Sequence, residues 1–412
     1  MSRALIGFAP YIGAGINGKE ERGMDPNKKR LCAEVEGLAG DLYKVSEFLY
    51  NNPEIGYQEF KACEFLSRFM EERGFKSERG TGGVQTAFLA RPAHRVKGRP
   101  CVAFLAEYDA LPGVGHGCGH NLIAAASVGA ALALSRNLDG LAGTLALVGT
   151  PAEEGGGGKI LLAEAGVFSE MDAAMMCHPG RLNRPGEEMF GRVKFKVEFF
   201  GQAAHASVSP DRGVNALDAM VAAYNNISML RQQIRPDARI HGIITHGGDA
   251  PNIIPQYTAG LFYVRAAGRK YRDEVYQKVE KCVEAAAVAT GADYKIEIGR
   301  PTFDPIKRNP PLEAAARANM EALGISLDPD DGRRGSSDIG NLSFYLPAIH
   351  PSVAIVDPEV PGHSKIFAEA TMSPRGKDAL LKTATFLAMT GYDFLASAEL
   401  REKVREAFNQ KE

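Results

Sequence analysis

Three short runs, residues 101–106, 145–149 and 173–177, are apolar at every position instead of at alternate ones. A strand with no polar face must be covered on both sides, as strands are inside a parallel sheet flanked by helices. Segments of helical period surround these runs. Leu42, Val45, Phe48 and Leu49 form one stripe and Phe60, Phe65, Leu66 and Met70 another, with Asn51-Asn52-Pro53 as the break between them. An Ala-rich stretch at 122–134 follows the first run, and a helix begins at 160–165 after the second. Strands alternating with helices predict an α/β fold with a mainly parallel sheet.

The pattern changes near Gly191. Val193, Phe195, Val197 and Phe199 alternate with polar residues, the period of a half-buried strand. A helix over 214–230 follows, with Leu217, Met220, Val221, Tyr224 and Ile227 on one side. Strands at 239–245 and 257–266, a helix at 271–289 and a strand at 293–298 complete the order βαββαβ, a compact two-layer α+β unit. Residues 300–311 are Pro-rich and read as a return linker to a helix at 312–323 and a strand at 352–356. A chain of 412 residues exceeds one ordinary core. Residues 1–190 and 305–412 are therefore expected to form one discontinuous domain, interrupted by a smaller lid at 191–304.

A formal charge of −2 gives no electrostatic case for nucleic acid or an anionic membrane. No apolar run reaches the roughly 20 residues that cross a bilayer. Arg3 and the apolar residues 4–16 faintly resemble a signal peptide, but Pro10, several glycines and the lack of a small-x-small cleavage site argue against one. The six cysteines are scattered and mostly sit in apolar segments, the usage of a reducing compartment. A cytoplasmic protein is the expectation.

Each apolar run empties into residues that bind metals. The first leads to Glu107, Asp109, and then Gly115-His116-Gly117-Cys118-Gly119-His120-Asn121. The second leads to Pro151-Ala152-Glu153-Glu154-Gly155, and the third ends at His178. In open parallel sheets functional groups gather beyond the carboxyl ends of strands. His363, in a loop after the last strand, is a fourth contributor. A thiol, imidazoles and a carboxylate suit a divalent transition metal such as zinc, and a spare carboxylate would be free to act on water. The residues thus point to a metal-dependent hydrolase. Gly115, Gly117 and Gly119 are expected to adopt positive φ and turn Cys118 and His120 to one point. Lys159 follows four glycines, but the spacing and the Ser/Thr of a phosphate loop are missing.

The chain resembles the metallo-aminoacylase and carboxypeptidase family over about residues 40–400. Its carriers are Ala106-Glu107-Tyr108-Asp109-Ala110-Leu111-Pro112, Gly117-Cys118-Gly119-His120, Pro151-Ala152-Glu153-Glu154-Gly155-Gly156, Gly201-Gln202-Ala203-Ala204-His205-Ala206 and Asn252-Ile253-Ile254-Pro255. The branch most similar holds p-aminobenzoyl-glutamate hydrolase and β-alanyl dipeptidases. The resemblance implies amide or dipeptide hydrolysis next to a free carboxylate, two divalent metals, and a homodimer through the lid. Position by position it makes Cys118 a ligand between the metals and His120, Glu154, His178 and His363 the others. Glu153 becomes the general base, His205 the lid donor to the oxyanion, and Asn252 a holder of the substrate carboxylate. Two departures stand out: Asn121 and Glu107 each occupy a place where Asp is usual.

Asp109 and Glu107 are expected behind the ligands, with Glu107 orienting a ligand imidazole. Arg265 reads either as a partner for the substrate carboxylate or as one half of a salt bridge within the lid. Ser336-Ser337-Asp338 is a candidate for the pocket lining. His116 is expected beside the site, His241 and His246 in the lid, and His94 and His350 as ordinary loop or surface histidines. Zinc or manganese fits the donors best, and cobalt or nickel satisfies them too. A non-catalytic metabolite-binding homologue is the second reading and a thiol-based metal sensor through Cys118 the third. An intact Glu153 and a complete ligand set argue against the second.

Overall fold

A computed structural model describes residues 23–94 and 100–410, so the signal-like stretch 3–16 lies outside the described residues. In chain order the elements are α1 (Pro26–Gly37), α2 (Ala39–Asn51), α3 (Phe60–Glu71), β1 (Phe75–Arg79), β2 (Phe88–Pro92), β3 (Cys101–Ala106), α4 (His120–Ser135), β4 (Thr144–Gly149), α5 (Gly158–Glu164), β5 (Ala173–Met175) and β6 (His178–Gly180). Then come β7 (Gly191–Phe200), α6 (Ala216–Leu230), β8 (Ala238–His246), β9 (Tyr257–Ala266), α7 (Arg269–Thr290) and β10 (Asp293–Phe303). The chain closes with α8 (Pro310–Ala322), α9 (Ile339–Leu342), β11 (Ala348–Ile349), β12 (Ser352–Ala354), α10 (Lys365–Thr371), α11 (Pro374–Ala396) and α12 (Ala398–Asn409). Among the described residues no helix is long and apolar enough to cross a membrane.

Contacts divide the chain into two compact units. The first comprises the described residues of Met1–Glu187, Lys307–Gly332 and Leu342–Glu412; the second comprises Glu188–Ile306 and Arg333–Asn341. The second unit thus includes a returning segment that the expected insert, 191–304, does not. Two hydrogen bonds explain it: the Phe190 N–H donates to the backbone carbonyl of Gly335 at 2.8 Å, and the Asp304 N–H donates to the side-chain Oδ1 of Asn341 at 2.9 Å.

In the first unit a six-stranded sheet runs in the order β1-β2-β4-β3-β5-β11. The four strands from β4 to β11 are parallel, as their unbroken apolar sequences require. At the other edge β1 and β2 are antiparallel. The third apolar run does not form one strand. It stops as β5 at Met175, and His178 opens β6, which pairs in parallel with β12 in a separate two-stranded ladder.

Helix α4 is buried along its whole length, the state expected of a helix that is apolar all round. It packs close to its neighbours because residue 129 is glycine. A Cβ there would meet Leu42 Cδ1 at 2.7 Å and Ala384 Cβ at 2.9 Å. Local signals set several ends: Asp25 caps α1 ahead of Pro26, and Ser373 caps α11 ahead of Pro374.

The second unit is an antiparallel sheet, β10-β7-β9-β8, in the expected order βαββαβ with α6 and α7. Val193, Phe195, Val197 and Phe199 form its core with Phe262, Val264, Val275, Val279 and Val283. Asn215 caps α6 by accepting the N–H groups of Leu217 and Asp218. The expected linker at 300–311 is strand up to Phe303, where β10 rejoins β7 opposite Arg192 after a register shift.

Candidate metal centre

The donors in the first unit converge. Cys118, His120 and His178 bring one ligand atom each within 4.8 Å of one another. Cys118, Glu154 and His363 do the same, and so do His120, Glu153 and Glu154. The three triads overlap, and Cys118, His120 and Glu154 each belong to two. Cys118 Sγ lies 3.3 Å from His178 Nε2, and His363 Nε2 lies 3.6 Å from Glu154 Oε1.

Backbone shape delivers these groups. Gly119 caps α4 with φ +84°, and a Cβ there would sit 2.3 Å from Pro179 Cγ. His120 is consequently the first residue of a buried helix. Gly117, expected at positive φ, is not there. Its lack of a side chain serves close approach instead, since a Cβ would meet Val114 Cγ1 at 2.6 Å. The Gly117 carbonyl accepts the His363 N–H at 3.0 Å, which ties the His363 loop to the Cys118 turn. His363 and Ala152 are left-handed without being glycine, with φ of 58° and 57°. Such residues store about 1–3 kcal/mol and persist where surroundings hold them. Glu59 holds one of them, accepting the Ala152 N–H at 2.8 Å just before the Glu153-Glu154 pair.

The tautomers follow from hydrogen bonds. His120 Nδ1 faces Asp109 O at 2.9 Å and Asp109 Oδ1 at 3.1 Å, so in the neutral ring that a metal needs it carries the proton and Nε2 the lone pair. Without a metal, burial opposes its charge, but Asp109 and Cys118 hold the imidazole well above its usual pKa. His178 Nδ1–H donates to Pro179 O at 2.6 Å, which turns its Nε2 lone pair toward Cys118. Burial, then the charge of His120, hold the His178 imidazole down at about 4, the neutral form a metal needs. Burial pushes the Cys118 thiol up; a bound cation reverses that by binding the thiolate. Burial disfavours the Asp109 charge, but the His120 ring and the Glu154 N–H more than offset this and hold its carboxyl below the usual range. His120 Nε2 and Glu154 Oε1 are buried without a hydrogen-bond partner. Buried polar atoms are seldom left so, and this donor set fits one or more divalent ions of the zinc class.

Glu107, expected behind a ligand imidazole, does not orient His120 from the Nδ1 side; Asp109 occupies that place. Glu107 lies toward Nε2 and is ion-paired with Lys159. His350, expected as an ordinary histidine, is 5% exposed, and its ring lies 5.5 Å from that of His178. Neither of its nitrogens has a hydrogen-bond partner. It follows β11, so a fourth parallel strand end leads to this cluster. Sequence reasoning missed His350, Lys159 and Glu59. His116 is buried and its Nε2 lies 3.0 Å from Leu49 O, apart from the donor triads. His94 is exposed.

The second unit holds the lid candidates. A β-bridge between His205 and Ile253, with the Ala206 N–H donating to Asn252 O at 3.0 Å, sets His205 and Asn252 side by side. His205 Nδ1 accepts the Ser207 N–H at 3.4 Å, which leaves Nε2–H as the donor. Arg265 donates to Ser336 Oγ at 2.8 Å, and Ser336 in turn donates to Phe190 O. Burial first, and then the charge of Arg192, pull the Arg265 guanidinium down from its usual range. His241 stacks edge-on against Tyr263 and His246 lies over Tyr257.

Comparison with known proteins agrees with this geometry. The model of peptidase family M20/M25/M40 matches residues 103–388. The chain is 37% identical to human Xaa-Arg dipeptidase over 98% of its own length and 97% of that protein. It is 34% identical to a component of the p-aminobenzoyl-glutamate hydrolase of Escherichia coli (strain K12), over 60% of this chain and 55% of that one. In fold it is similar to a dinuclear metal-binding M20 peptidase from Bacillus subtilis. The TM-score is 0.70 at 21% identity, covering 87% of this chain and 99% of that one.

Proposed function

Because this chain belongs to peptidase family M20/M25/M40, it is a hydrolase of peptide or amide bonds, and we propose that it cleaves dipeptides or N-acyl amino acids that end in a free carboxylate. The relative matched over nearly its full length is named for dipeptides, which favours a dipeptide. The observation that carries the reading is the set of overlapping donor triads with orphaned buried atoms, beside which Glu153 stands. A non-catalytic binding protein has no use for that carboxylate.

Cys118, His120, Glu154, His178 and His363 would hold two divalent cations; zinc or manganese is the first choice, and cobalt or nickel is compatible. Bound there, such ions supply Lewis acidity and lower the pKa of a water from about 15.7 toward about 7. Glu153 takes a proton from the attacking water and returns it to the leaving nitrogen as the C–N bond breaks. His205 Nε2–H meets the negative charge that develops on the carbonyl oxygen. Asn252 and Arg265 hold the substrate carboxylate. Asp109 keeps His120 in the right tautomer.

We also assign homodimerisation to the inserted unit. Among the described residues strand β8 is a sheet edge paired with β9 alone, and Ile243 and Ile244 on it are 62% and 40% exposed. Among the described residues none of the six cysteines forms a disulfide, which suits the cytoplasm.

The test is a hydrolysis screen over dipeptides, N-acyl amino acids and p-aminobenzoyl-glutamate, run with added metals and again with a chelator. Metal content and light-scattering mass are measured on the same sample. Hydrolysis lost to the chelator and restored by metal is expected. Protein that takes up no cation under metal-replete conditions and cuts none of these substrates would end the reading.

A further inference from the structure

Beside the donors already assigned, one buried carboxylate oxygen is unaccounted for. Glu107 Oε2 has no hydrogen-bond partner, and the Glu107 side chain is 1% exposed. It lies 3.5 Å from His120 Nε2, which also lacks a partner. In the neutral ring that metal ligation requires, His120 Nδ1 carries the proton and both facing atoms present lone pairs. Two such atoms buried face to face are unfavourable unless something positive lies between them. Two donors about 2.1 Å from one tetrahedral ion stand about 3.4 Å apart. The other Glu107 oxygen is held by the ammonium of Lys159, which is fully buried. Lys159 therefore fixes the rotation of the carboxylate and leaves the second oxygen turned to His120.

We propose that Glu107 is a direct carboxylate donor to the cation on the His120 side, and that Lys159 is the residue that positions it. This rests on the reading of the centre as a metal site. It moves Glu107 from behind the ligands to among them. It also gives a purpose to a buried ion pair whose stability contribution alone is small, because desolvation of two charges offsets their attraction.

The pair can be removed as a unit. The double variant Glu107→Gln/Lys159→Met leaves no unmatched charge, so a purely structural pair would be lost without consequence for the metals. Chelator competition and the visible spectrum of the cobalt-loaded protein are read for wild type and variant, with thermal unfolding as the check on folding. The expected result is a loss of about tenfold or more in affinity for one cation, with a changed cobalt spectrum. Affinities, stoichiometry and spectrum equal to wild type would overturn the assignment. If the double variant does not fold, Glu107→Asp decides. It keeps the charge but shortens the reach, and an unchanged spectrum there overturns the assignment equally. Wild-type protein that binds no cation would sink the metal reading itself, an outcome distinct from a variant that binds as wild type does.

Discussion

Asp109 is bonded to two donor residues at once: its Oδ1 lies 3.1 Å from His120 Nδ1, and its Oδ2 accepts the Glu154 backbone N–H at 2.9 Å. One buried carboxylate thereby sets the angle of an imidazole on α4 and the course of the loop after β4. Asp109→Asn keeps the size but not the charge; its one amide oxygen can accept from one of the two groups, and its NH₂ can accept from neither. The backbone carbonyl of residue 109 still holds the ring, so binding weakens without vanishing. A loss of about 10–100-fold in metal affinity is expected by chelator competition. Wild-type affinity would show that the ring is held well enough by the carbonyl alone.

Glu153→Gln separates metal binding from chemistry. Glu153 shares a donor triad with His120 and Glu154, but the other two triads lack it. The variant should therefore keep its cations and its unfolding midpoint. Without a group to accept the proton, kcat should fall by about 10²–10⁴. Turnover near wild type with metals in place would assign the base to another residue.

His205→Ala tests the lid. Its Nδ1 already accepts from Ser207, so Nε2–H is the free donor. Loss of one oxyanion donor typically lowers kcat by about 10²–10³. Metal content should be unchanged, because His205 belongs to none of the donor triads. A fall in bound metal, or a change confined to KM, would remove it from this role.

The parts of the centre that were legible in the sequence are those carried by local patterns. Glu153 and Glu154 follow an apolar run closely, Cys118 and His120 sit in a glycine-rich turn after another, and the alternation from Val193 to Phe199 announced β7 of the second unit. Strand β11 has only two residues, Ala348 and Ile349. So short a strand has no period to read, and His350 behind it looked ordinary for that reason. The place of Glu107 was hidden differently. Both it and Asp109 follow β3, and only the side-chain directions, set by Lys159 and by the first turn of α4, decide which one faces which ring nitrogen. Strands β1 and β2 carry Lys76, Arg79 and Arg91 among their few residues, so no apolar run marked the antiparallel edge. Helix α11 did carry a signal, Ser373 before Pro374, but its largely buried circumference blurs the stripe that marks a surface helix.

Glu59 makes the metal-free protein pH-dependent. Its side chain is buried at the start of α3 and accepts the Ala152 N–H. Burial lifts its pKa from 4.5 to about 7, against the pull of nearby hydrogen bonds and with help from the charge of Asp109. Between these values the folded chain keeps a proton that the unfolded chain has released. The folded state thus binds more protons, and stability falls as pH rises through that window, then levels off above about 7. At about 1.36 kcal/mol per pKa unit, the loss is on the order of 3 kcal/mol. Glu59→Gln keeps a carbonyl to accept the Ala152 N–H and carries no charge at any pH. Urea unfolding of the metal-free proteins from about pH 4.5 to about pH 8 should show wild type losing stability relative to the variant across the window. Parallel curves for the two proteins would mean that Glu59 is already ionised in the folded state.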